Sequence, residues 1–263
     1  MQPTIQSDII YGHKHGMAQV LDVYQPQQPN GAGIIFIQSG GWYSVWREAA
    51  ESLPRFTPLL EAGFTVFSVW HGSSPKYAVP EAYDDLRRAV RFVKLNCANY
   101  GISPSRLGIH GTSAGGHLSL LLASRSDDGD SASEDAVLRG DNHVAAVVAY
   151  YPPVDLRGWT TAPPEVIDQH EGLRPSITFE TNLEIECSPL LHVTPAMPPT
   201  LLIHGDQDSL VDADHSHRMF AALQEQGIES ELLVIPGAEH SFTPEALTIA
   251  VPAMVKWFTR WLC

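Results

Sequence analysis

The sequence is poor in cysteine, in positive charge and in long apolar runs, and each shortage excludes a class of protein. Its 263 residues include three cysteines, at the widely spaced positions Cys97, Cys187 and Cys263. An odd number at such spacing fits neither a disulfide framework nor a zinc site. We expect small buried side chains, although one pair could form a disulfide in an oxidising compartment. No neighbouring motif makes Cys97 a nucleophile.

Basic side chains are also scarce. The chain has 16 lysines and arginines against 30 aspartates and glutamates, which gives a formal net charge of −14. Because no lysine- or arginine-rich run occurs, the sequence predicts neither a nucleic-acid partner nor binding to an anionic membrane. The acidity is explained by solubility, and the oligomeric state is left open.

No apolar stretch approaches the roughly 20 residues that a transmembrane helix needs. Residues 1–8 lack the basic start and apolar core of a signal peptide. We therefore expect a cytoplasmic protein without a membrane partner, unless a signal peptide has been removed. The acidic segment 127–135 lacks the ligand spacing and the glycine of a calcium loop, so we expect a solvated loop there.

Apolar strands alternate with amphipathic segments along the chain. Eight strands are predicted, at about 4–11, 17–24, 33–37, 64–69, 106–110, 144–150, 200–204 and 231–235. Helices are predicted at about 47–62, 80–99, 116–123, 213–227 and 244–261. This alternation indicates an α/β fold, with a mainly parallel eight-stranded sheet covered by helices on both faces. The N-terminal pair of strands is expected to be antiparallel, with Gly12 and Gly16 flanking the bend.

A chain of this length commonly forms one α/β core, so we predict a single domain over 1–263. The segment 155–195 interrupts the alternation, because it contains five prolines and little periodicity. A long segment of this kind in a compact domain is usually functional. We predict that it is a small cap inserted after the strand at 144–150.

Residues 111–115 read Gly-Thr-Ser-Ala-Gly, between a predicted strand and a predicted helix. In such a tight turn the central Ser113 adopts a strained backbone, and side chains two positions to either side would collide. Gly111 and Gly115 remove those collisions. The pentapeptide also occurs by chance in unrelated chains, but its position between strand and helix favours a nucleophile elbow for acyl transfer.

A serine hydroxyl is a poor nucleophile and needs a base, which a third group must orient. On parallel sheets the chain order is serine, acid, histidine, with the last two on loops after later strands. Asp208 and His240 follow the last two predicted strands in that order. The loop pattern favours Asp208 as the acid and Asp206 as a turn residue. The sequence therefore predicts Ser113, Asp208 and His240 as a catalytic triad.

An acyl-transfer enzyme also needs N–H donors for the oxyanion of the tetrahedral intermediate. Residues 38–42 read Gln-Ser-Gly-Gly-Trp, directly after the predicted strand at 33–37. Glycines there let the backbone approach a substrate oxygen. We predict that the N–H groups of Gly40, Gly41 and Ala114 form the oxyanion hole.

On these motifs the sequence resembles the α/β-hydrolase superfamily, in the branch of hormone-sensitive-lipase-like carboxylesterases and bifunctional feruloyl and acetyl-xylan esterase-like proteins. The resemblance extends from Asp22-Val23-Tyr24 to the last helix and includes Gly-x-Ser-Ala-Gly-Gly-His-Leu and Ser188-Pro189-Leu190. Family members usually have His-Gly-Gly-Gly-Trp at the oxyanion loop, where this chain has Gln38 and Ser39 in the first two positions. The family histidine mainly braces the loop, and Gln38 could keep a hydrogen bond there.

The resemblance implies a serine carboxylesterase for small or carbohydrate-linked esters, with an acyl-enzyme on Ser113 and neither metal nor organic cofactor. Trp42, Tyr43 and Trp159 are the candidate substrate-binding residues, because aromatic rings can stack on a sugar or aryl acid or close a short acyl pocket. Three alternatives stay open. They are an amide-cleaving hydrolase such as an arylformamidase or peptidase, a non-catalytic binding protein, and a lipase, which the short cap disfavours.

Overall fold

The computed structural model describes residues 3–163 and 173–263. Eight strands form one sheet in the order β1-β2-β4-β3-β5-β6-β7-β8. Their bounds are β1 Thr4–Lys14, β2 Met17–Gln25, β3 Gly33–Gln38, β4 Thr65–Trp70, β5 Leu107–Thr112, β6 Ala146–Tyr150, β7 Thr200–Gly205 and β8 Ser230–Ile235. All eight predicted strands are confirmed, with ends that differ by up to three residues.

The first strands pair differently from the rest. β1 pairs with β2, and β2 with β4, in antiparallel fashion. The six strands β3 to β8 are all parallel to one another. At the turn between β1 and β2, Gly16 has a φ of +80°. The prediction that Gly12 flanks the bend is wrong, because this residue lies inside β1, at a shift in the pairing register with β2.

Helices follow most of the parallel strands. They are α1 Ala49–Glu61, α2 Val79–Leu95, α3 Ala114–Ser124, α4 Leu173–Ser176, α5 Leu183–Glu186, α6 Asp214–Glu225 and α7 Pro244–Leu262. The helix predicted to reach residue 99 ends at Leu95 and is followed by a 3₁₀ turn over Cys97–Tyr100, which Gly101 closes at a φ of +66°. Within the described residues, no helix is both long and apolar enough to cross a membrane.

The two faces of the sheet bury two separate hydrophobic cores. Because side chains alternate along a strand, Ile35 and Ile37 of β3 pack toward the core that includes residues of α2, α3 and α6. Ile34 and Phe36 pack toward the other core, which α1 and α7 cover. The prediction of helices on both faces is thus confirmed, and this is the α/β-hydrolase fold. Its parallel strands all end at the edge where the predicted site residues lie.

The segment between β6 and β7 contains α4, α5 and a 3₁₀ turn at Pro189–His192. It contacts the rest of the domain, since the Cys187 carbonyl lies 2.7 Å from Nε2 of His117 on α3. The Ser176 hydroxyl donates to the Gly41 carbonyl at 2.8 Å. Part of the predicted cap, residues 164–172, lies outside the described residues. The single domain with a cap at 155–195 stays a prediction.

The cysteines are all unpaired. Cys97 and Cys187 are buried, as predicted, but Cys263 is exposed. Burial raises the pKa of Cys97 to about 11, opposed by Lys94, so its thiol stays protonated at neutral pH. Burial likewise raises the pKa of Cys187 to about 12.

The acidic segment 127–135 is fastened to α2 by ion pairs. Asp127 pairs with Arg87 at 2.6 Å and also with Arg91. Asp135 pairs with Arg88 at 2.6 Å. These carboxylates neutralise arginines of α2, which gives the segment a structural function.

Candidate active site

The turn between β5 and α3 has the steric constraints of a nucleophile elbow. Ser113 stands at its centre with φ 53° and ψ −120°, a conformation that costs energy for any residue with a side chain. A Cβ on Gly111 would lie 2.3 Å from the carbonyl of Gly115, and one on Gly115 would lie 2.9 Å from the Ile37 oxygen. Glycine is required at both positions, as the sequence predicted.

The turn brings Ser113 to the two other predicted triad residues. His240 Nε2 lies 2.9 Å from the Ser113 hydroxyl oxygen, and its Nδ1 lies 2.7 Å from Oδ2 of Asp208. The Ser113 N–H donates to the Tyr150 carbonyl at 2.9 Å, which ties the elbow to the adjacent strand. Since a carboxylate can only accept, Nδ1 carries a proton and Nε2 accepts from the serine. The three residues therefore form one hydrogen-bonded chain.

Hydrogen bonds keep the buried carboxylate of Asp208 ionised. Its side chain is fully buried, and Oδ1 accepts from the N–H groups of Leu210 at 3.0 Å and Val211 at 2.8 Å. Burial alone would raise the pKa of Asp208. The hydrogen bonds from His204, His240 and Val211 outweigh it and hold this pKa well below the usual value for aspartate. The carboxylate is thus charged when it faces His240.

His204 also contacts the carboxylate of Asp208, and the sequence did not predict this histidine as part of the site. Its Nε2 lies 2.8 Å from the Val211 carbonyl and 3.2 Å from Oδ2 of Asp208, and its Nδ1 lies 2.7 Å from the Ser216 hydroxyl. Both partners of Nε2 are acceptors, so this nitrogen carries the proton. The available signal was a histidine at the end of an otherwise apolar strand, Thr200–Gly205.

The loops carrying Asp208 and His240 are joined to each other. Asp206 Oδ1 accepts from the Gly237 N–H at 2.7 Å, which agrees with its predicted place in a turn. A Cβ on Gly205 would lie 2.1 Å from the Ala238 carbonyl oxygen, so glycine is required for this close approach. The contact fixes the distance between the acid and the histidine.

The oxyanion loop departs from the prediction at Gly40. Its N–H donates to the Tyr43 carbonyl at 3.0 Å, and the Tyr43 N–H returns a bond to the Gly40 carbonyl at 2.9 Å. Gly41 and Trp42 form the turn between them, with φ values of 57° and 60°. The predicted oxyanion donor at Gly40 is therefore not supported, because the turn already uses its N–H. Gly41 and Ala114 stay candidates, and Ala114 is the first residue of α3.

Side chains brace the loop in place of the family histidine. Gln38 donates from Nε2 to the Ser68 hydroxyl at 2.9 Å, so it keeps a bracing bond as expected. The Ser39 hydroxyl lies 2.9 Å from Nε2 of His71, whose Nδ1 lies 2.8 Å from the Gly72 carbonyl. Burial lowers the pKa of His71 to about 4, so the ring is neutral and Nε2 accepts from Ser39. Sequence reasoning missed His71.

The three predicted substrate-binding aromatics lie in different surroundings. Trp42 is 3% exposed and donates from Nε1 to Nδ1 of His117 at 3.2 Å, so its ring belongs to the core and offers no free face to a ligand. This corrects the prediction for Trp42. Trp159 is half-buried and packs edge-on to Trp42, with ring centroids 6.1 Å apart. Tyr43 lines a cavity and fits its predicted role best.

Tyr151 is a further residue beside His240 to which the sequence assigned no chemistry. Its ring centroid lies 4.5 Å from that of His240, and its backbone has a φ of +38°. Burial raises the pKa of the Tyr151 phenol, while the Thr112 hydroxyl and Arg55 oppose that rise. The ring of Tyr151, which is neutral and has a strained backbone, thus packs against the imidazole of His240.

Two cavities open next to the elbow, and both reach Phe36, Arg55 and Thr112. One, of about 400 Å³, lies between the oxyanion loop and α1 and is polar. The other, of about 410 Å³, lies between α1 and α7 and is lined mainly by apolar and aromatic residues, among them Tyr151 and Phe242. Both volumes suit a small organic group.

A serine, an aspartate and a histidine are joined by hydrogen bonds, and each lies in the turn or loop that follows a parallel strand. This arrangement defines a serine-hydrolase type of site on the α/β-hydrolase fold. The sequence model of the BD-FAE family matches residues 21–223. The chain therefore belongs to the BD-FAE family.

Individual relatives agree with this membership. Esterase LipQ of Mycobacterium tuberculosis is 28% identical over 242 residues, an alignment that covers 90% of this chain but 57% of LipQ. The chain thus spans little more than half of that relative. Among solved structures, an acetyl ester-xyloside bifunctional hydrolase from Caldicellulosiruptor lactoaceticus superposes with a TM-score of 0.82 at 25% identity, covering 97% of this chain and 96% of the other. A truncated carbohydrate esterase from gut microbiota gives 0.80 at 27% identity, covering 98% and 95%.

Proposed function

We propose that this protein is a serine carboxylesterase that hydrolyses small or carbohydrate-linked carboxylic esters. The observation that carries the proposal is the hydrogen-bonded chain from Ser113 through His240 to the buried Asp208. It combines a nucleophile, a base and a charged group that orients the base.

In the first step, the Ser113 oxygen attacks the ester carbonyl while His240 Nε2 accepts the hydroxyl proton. Asp208 holds the imidazole by Nδ1 and stabilises the positive charge that develops on it. The tetrahedral intermediate then collapses, the bond to the alcohol breaks, and His240 returns its proton to the leaving alcohol. The product of this half-reaction is an acyl-enzyme on Ser113.

The negative charge of the intermediate needs N–H donors already in place. We assign the N–H groups of Gly41 and Ala114 to this role and leave Gly40 to the turn with Tyr43. The Ser176 contact with the Gly41 carbonyl and the bracing of Ser39 by His71 support a fixed loop. Water then attacks the acyl-enzyme by the same route, with His240 again accepting and returning a proton.

The substrate class is supported by relatives and by the cavities. LipQ is named an esterase, and the two similar structures are named an acetyl ester-xyloside bifunctional hydrolase and a carbohydrate esterase. Two cavities of moderate size at Thr112 suit a short acyl group and a small alcohol. Tyr43 and Trp159 are proposed to contact the substrate.

The proposal is tested by comparing hydrolysis of p-nitrophenyl acetate, butyrate and octanoate with that of methyl ferulate and acetylated xylan. Ser113→Ala serves as the control. We expect turnover on short or carbohydrate esters that falls by about a thousandfold or more in the variant. A fluorophosphonate probe should label the wild type at Ser113 and leave the variant unlabelled.

The outcomes separate the alternatives. Covalent labelling with turnover only on aryl formamides or peptides would replace the esterase by an amide-cleaving enzyme. Absence of both labelling and turnover would leave a binding protein on the same fold. A preference that rises toward octanoate would favour a lipase.

A further inference from the structure

Two arginines of the described chain have side chains without a polar partner. With 30 acidic and 16 basic side chains, a carboxylate is available for most cations. Several basic residues of the described chain accordingly form ion pairs, among them Lys14, Arg87, Arg88, Arg91, Lys94, Arg125, Arg157 and Arg218. Within residues 3–163 and 173–263, the side chains of Arg47 and Arg55 form neither an ion pair nor a hydrogen bond, and both residues are exposed to solvent. Arg55 contacts the Phe36 ring with its guanidinium 5.2 Å from the centroid.

Both arginines line the same cavity. It is the polar one of about 400 Å³, and Ser39, Gly40, Tyr43 and Thr112 line it as well. We call it the arginine cavity. Thr112 is bonded to Ser113, and Ser39 and Gly40 belong to the oxyanion loop. A group bound in this cavity would therefore lie beside the nucleophile elbow and the oxyanion loop.

The charges in the arginine cavity are not balanced. Glu51 is the one carboxylate residue among its described lining residues, against two arginines, which leaves a net charge of +1. Glu51 forms no ion pair with either arginine in the described structure. Partial desolvation lowers the pKa of Arg55, Tyr151 opposes this change, and the positive charge of Arg47 adds to the lowering. A bound anion would relieve this repulsion.

We propose that the arginine cavity binds a carboxylate carried by the ester substrate, so that the enzyme prefers anionic esters to neutral ones. This inference rests on the proposed esterase function. A planar guanidinium matches the two oxygens of a carboxylate, and a net charge of +1 suits a monoanion. The carboxylate can belong to the acyl part or to the alcohol part, because the cavity adjoins both the oxyanion loop and the elbow.

Two matched pairs of esters test the proposal. For the alcohol part, 4-acetoxybenzoate is compared with the neutral 4-acetoxybenzamide. For the acyl part, mono-4-nitrophenyl adipate is compared with its methyl ester. The measured quantity is the ratio of kcat/KM for the anionic ester to that for the neutral ester, after subtraction of the rate given by Ser113→Ala.

We expect a ratio above one in the wild type for at least one pair. Arg55→Gln and Arg47→Gln should each lower that ratio by about tenfold, because each removes a charged hydrogen-bond donor. Lys256→Gln is the matched control, since it removes one positive charge from the exposed surface of α7. It should leave the ratio unchanged. Equal ratios in the wild type and both arginine variants would overturn the proposal while the esterase function stands.

A binding measurement separates failure of this proposal from failure of the esterase function. Calorimetric titration with adipate or 4-hydroxybenzoate needs no turnover. If no ester is hydrolysed in a Ser113-dependent way, weaker binding in Arg55→Gln than in Lys256→Gln would still support a carboxylate site. Equal binding in the two variants would refute it.

Discussion

The ring of Tyr151 lies against the ring of His240, with centroids 4.5 Å apart and planes inclined by 60°. Tyr151 reaches this position through a left-handed backbone, with φ +38°, while its N–H donates to the Ile203 carbonyl at 2.8 Å. A strained residue persists only where its surroundings over-determine it, and such residues cluster at functional sites. We therefore expect Tyr151 to position the imidazole of His240.

Replacing Tyr151 by alanine should lower kcat by about tenfold, because the imidazole of His240 would lose a ring contact that limits its orientation. KM should change less than kcat, because the ring packs directly against the histidine, although it also lines the cavity between α1 and α7. Tyr151→Phe keeps the ring and should stay within about threefold of the wild type. Steady-state kinetics on p-nitrophenyl acetate measures both. If Tyr151→Phe is as slow as Tyr151→Ala, the hydroxyl rather than the ring is responsible.

The sequence predicts the parts of this site that depend on local patterns. The alternation of apolar and amphipathic segments gives the succession of strands and helices along the chain. The glycines around Ser113 follow from sterics within five residues. Asp208 and His240 follow from the rule that functional loops come after strands. These features need no knowledge of tertiary contacts.

Other features of the site depend on contacts between distant residues. The hydrogen bond between Ser39 and His71 joins residues 32 positions apart in the sequence. The one between the buried Trp42 and His117 joins residues 75 positions apart. Nothing in the local pattern around Trp42 distinguishes a core side chain from a substrate-binding one. The bond from Gly40 to Tyr43 depends on how the loop turns after β3. Gly40 and Trp42 are the site residues whose predicted roles needed correction, and His71 is one that the sequence did not predict.

Three buried histidines predict how stability depends on pH. Burial, opposed by backbone hydrogen bonds, lowers the pKa values of His71, His110 and His117 to about 4. Histidine in an unfolded chain has a pKa of about 6.5. Between about pH 4 and pH 6.5 the unfolded chain therefore binds protons at these histidines, and the folded chain does not. The stabilisation is fully present above about pH 6.5 and is lost as pH falls toward 4.

Each such histidine should contribute a slope of up to about 1.4 kcal/mol per pH unit to the free energy of unfolding within this window. Urea denaturation at pH 7, 6 and 5 measures the sum. The imidazole resonances of His71, His110 and His117 should keep their neutral positions down to pH 5 in NMR spectra. Titration of any of the three near pH 6.5 would contradict the assignment for that residue.

Gly111→Ala should disrupt the elbow. The new Cβ would lie 2.3 Å from the Gly115 carbonyl group, which is backbone and cannot rotate away. We expect a loss of at least about 3 kcal/mol in the free energy of unfolding, together with loss of turnover. Gly140→Ala is the matched control, because a Cβ there meets nothing within 4 Å and its φ is −84°. The control should stay within about 0.5 kcal/mol of the wild type. Similar stability of the two variants would show that the elbow relaxes more easily than its geometry indicates.

The bond from Ser39 to His71 predicts a separable effect on the oxyanion loop. Ser39→Ala removes the donor to Nε2 of His71, and the lost hydrogen bond should cost about 1 kcal/mol of stability. Because a looser loop positions the Gly41 N–H less well, kcat should fall while KM changes little.

Ser39→Thr keeps a hydroxyl at the same position and should restore both stability and kcat, which a mere change of volume would not do. Urea denaturation and steady-state kinetics on p-nitrophenyl acetate report the two effects independently. A loss of stability without any loss of kcat would mean that His71 holds Ser39 for folding alone. A loss of kcat that Ser39→Thr fails to restore would instead place the cause in the shape of the arginine cavity, which Ser39 also lines.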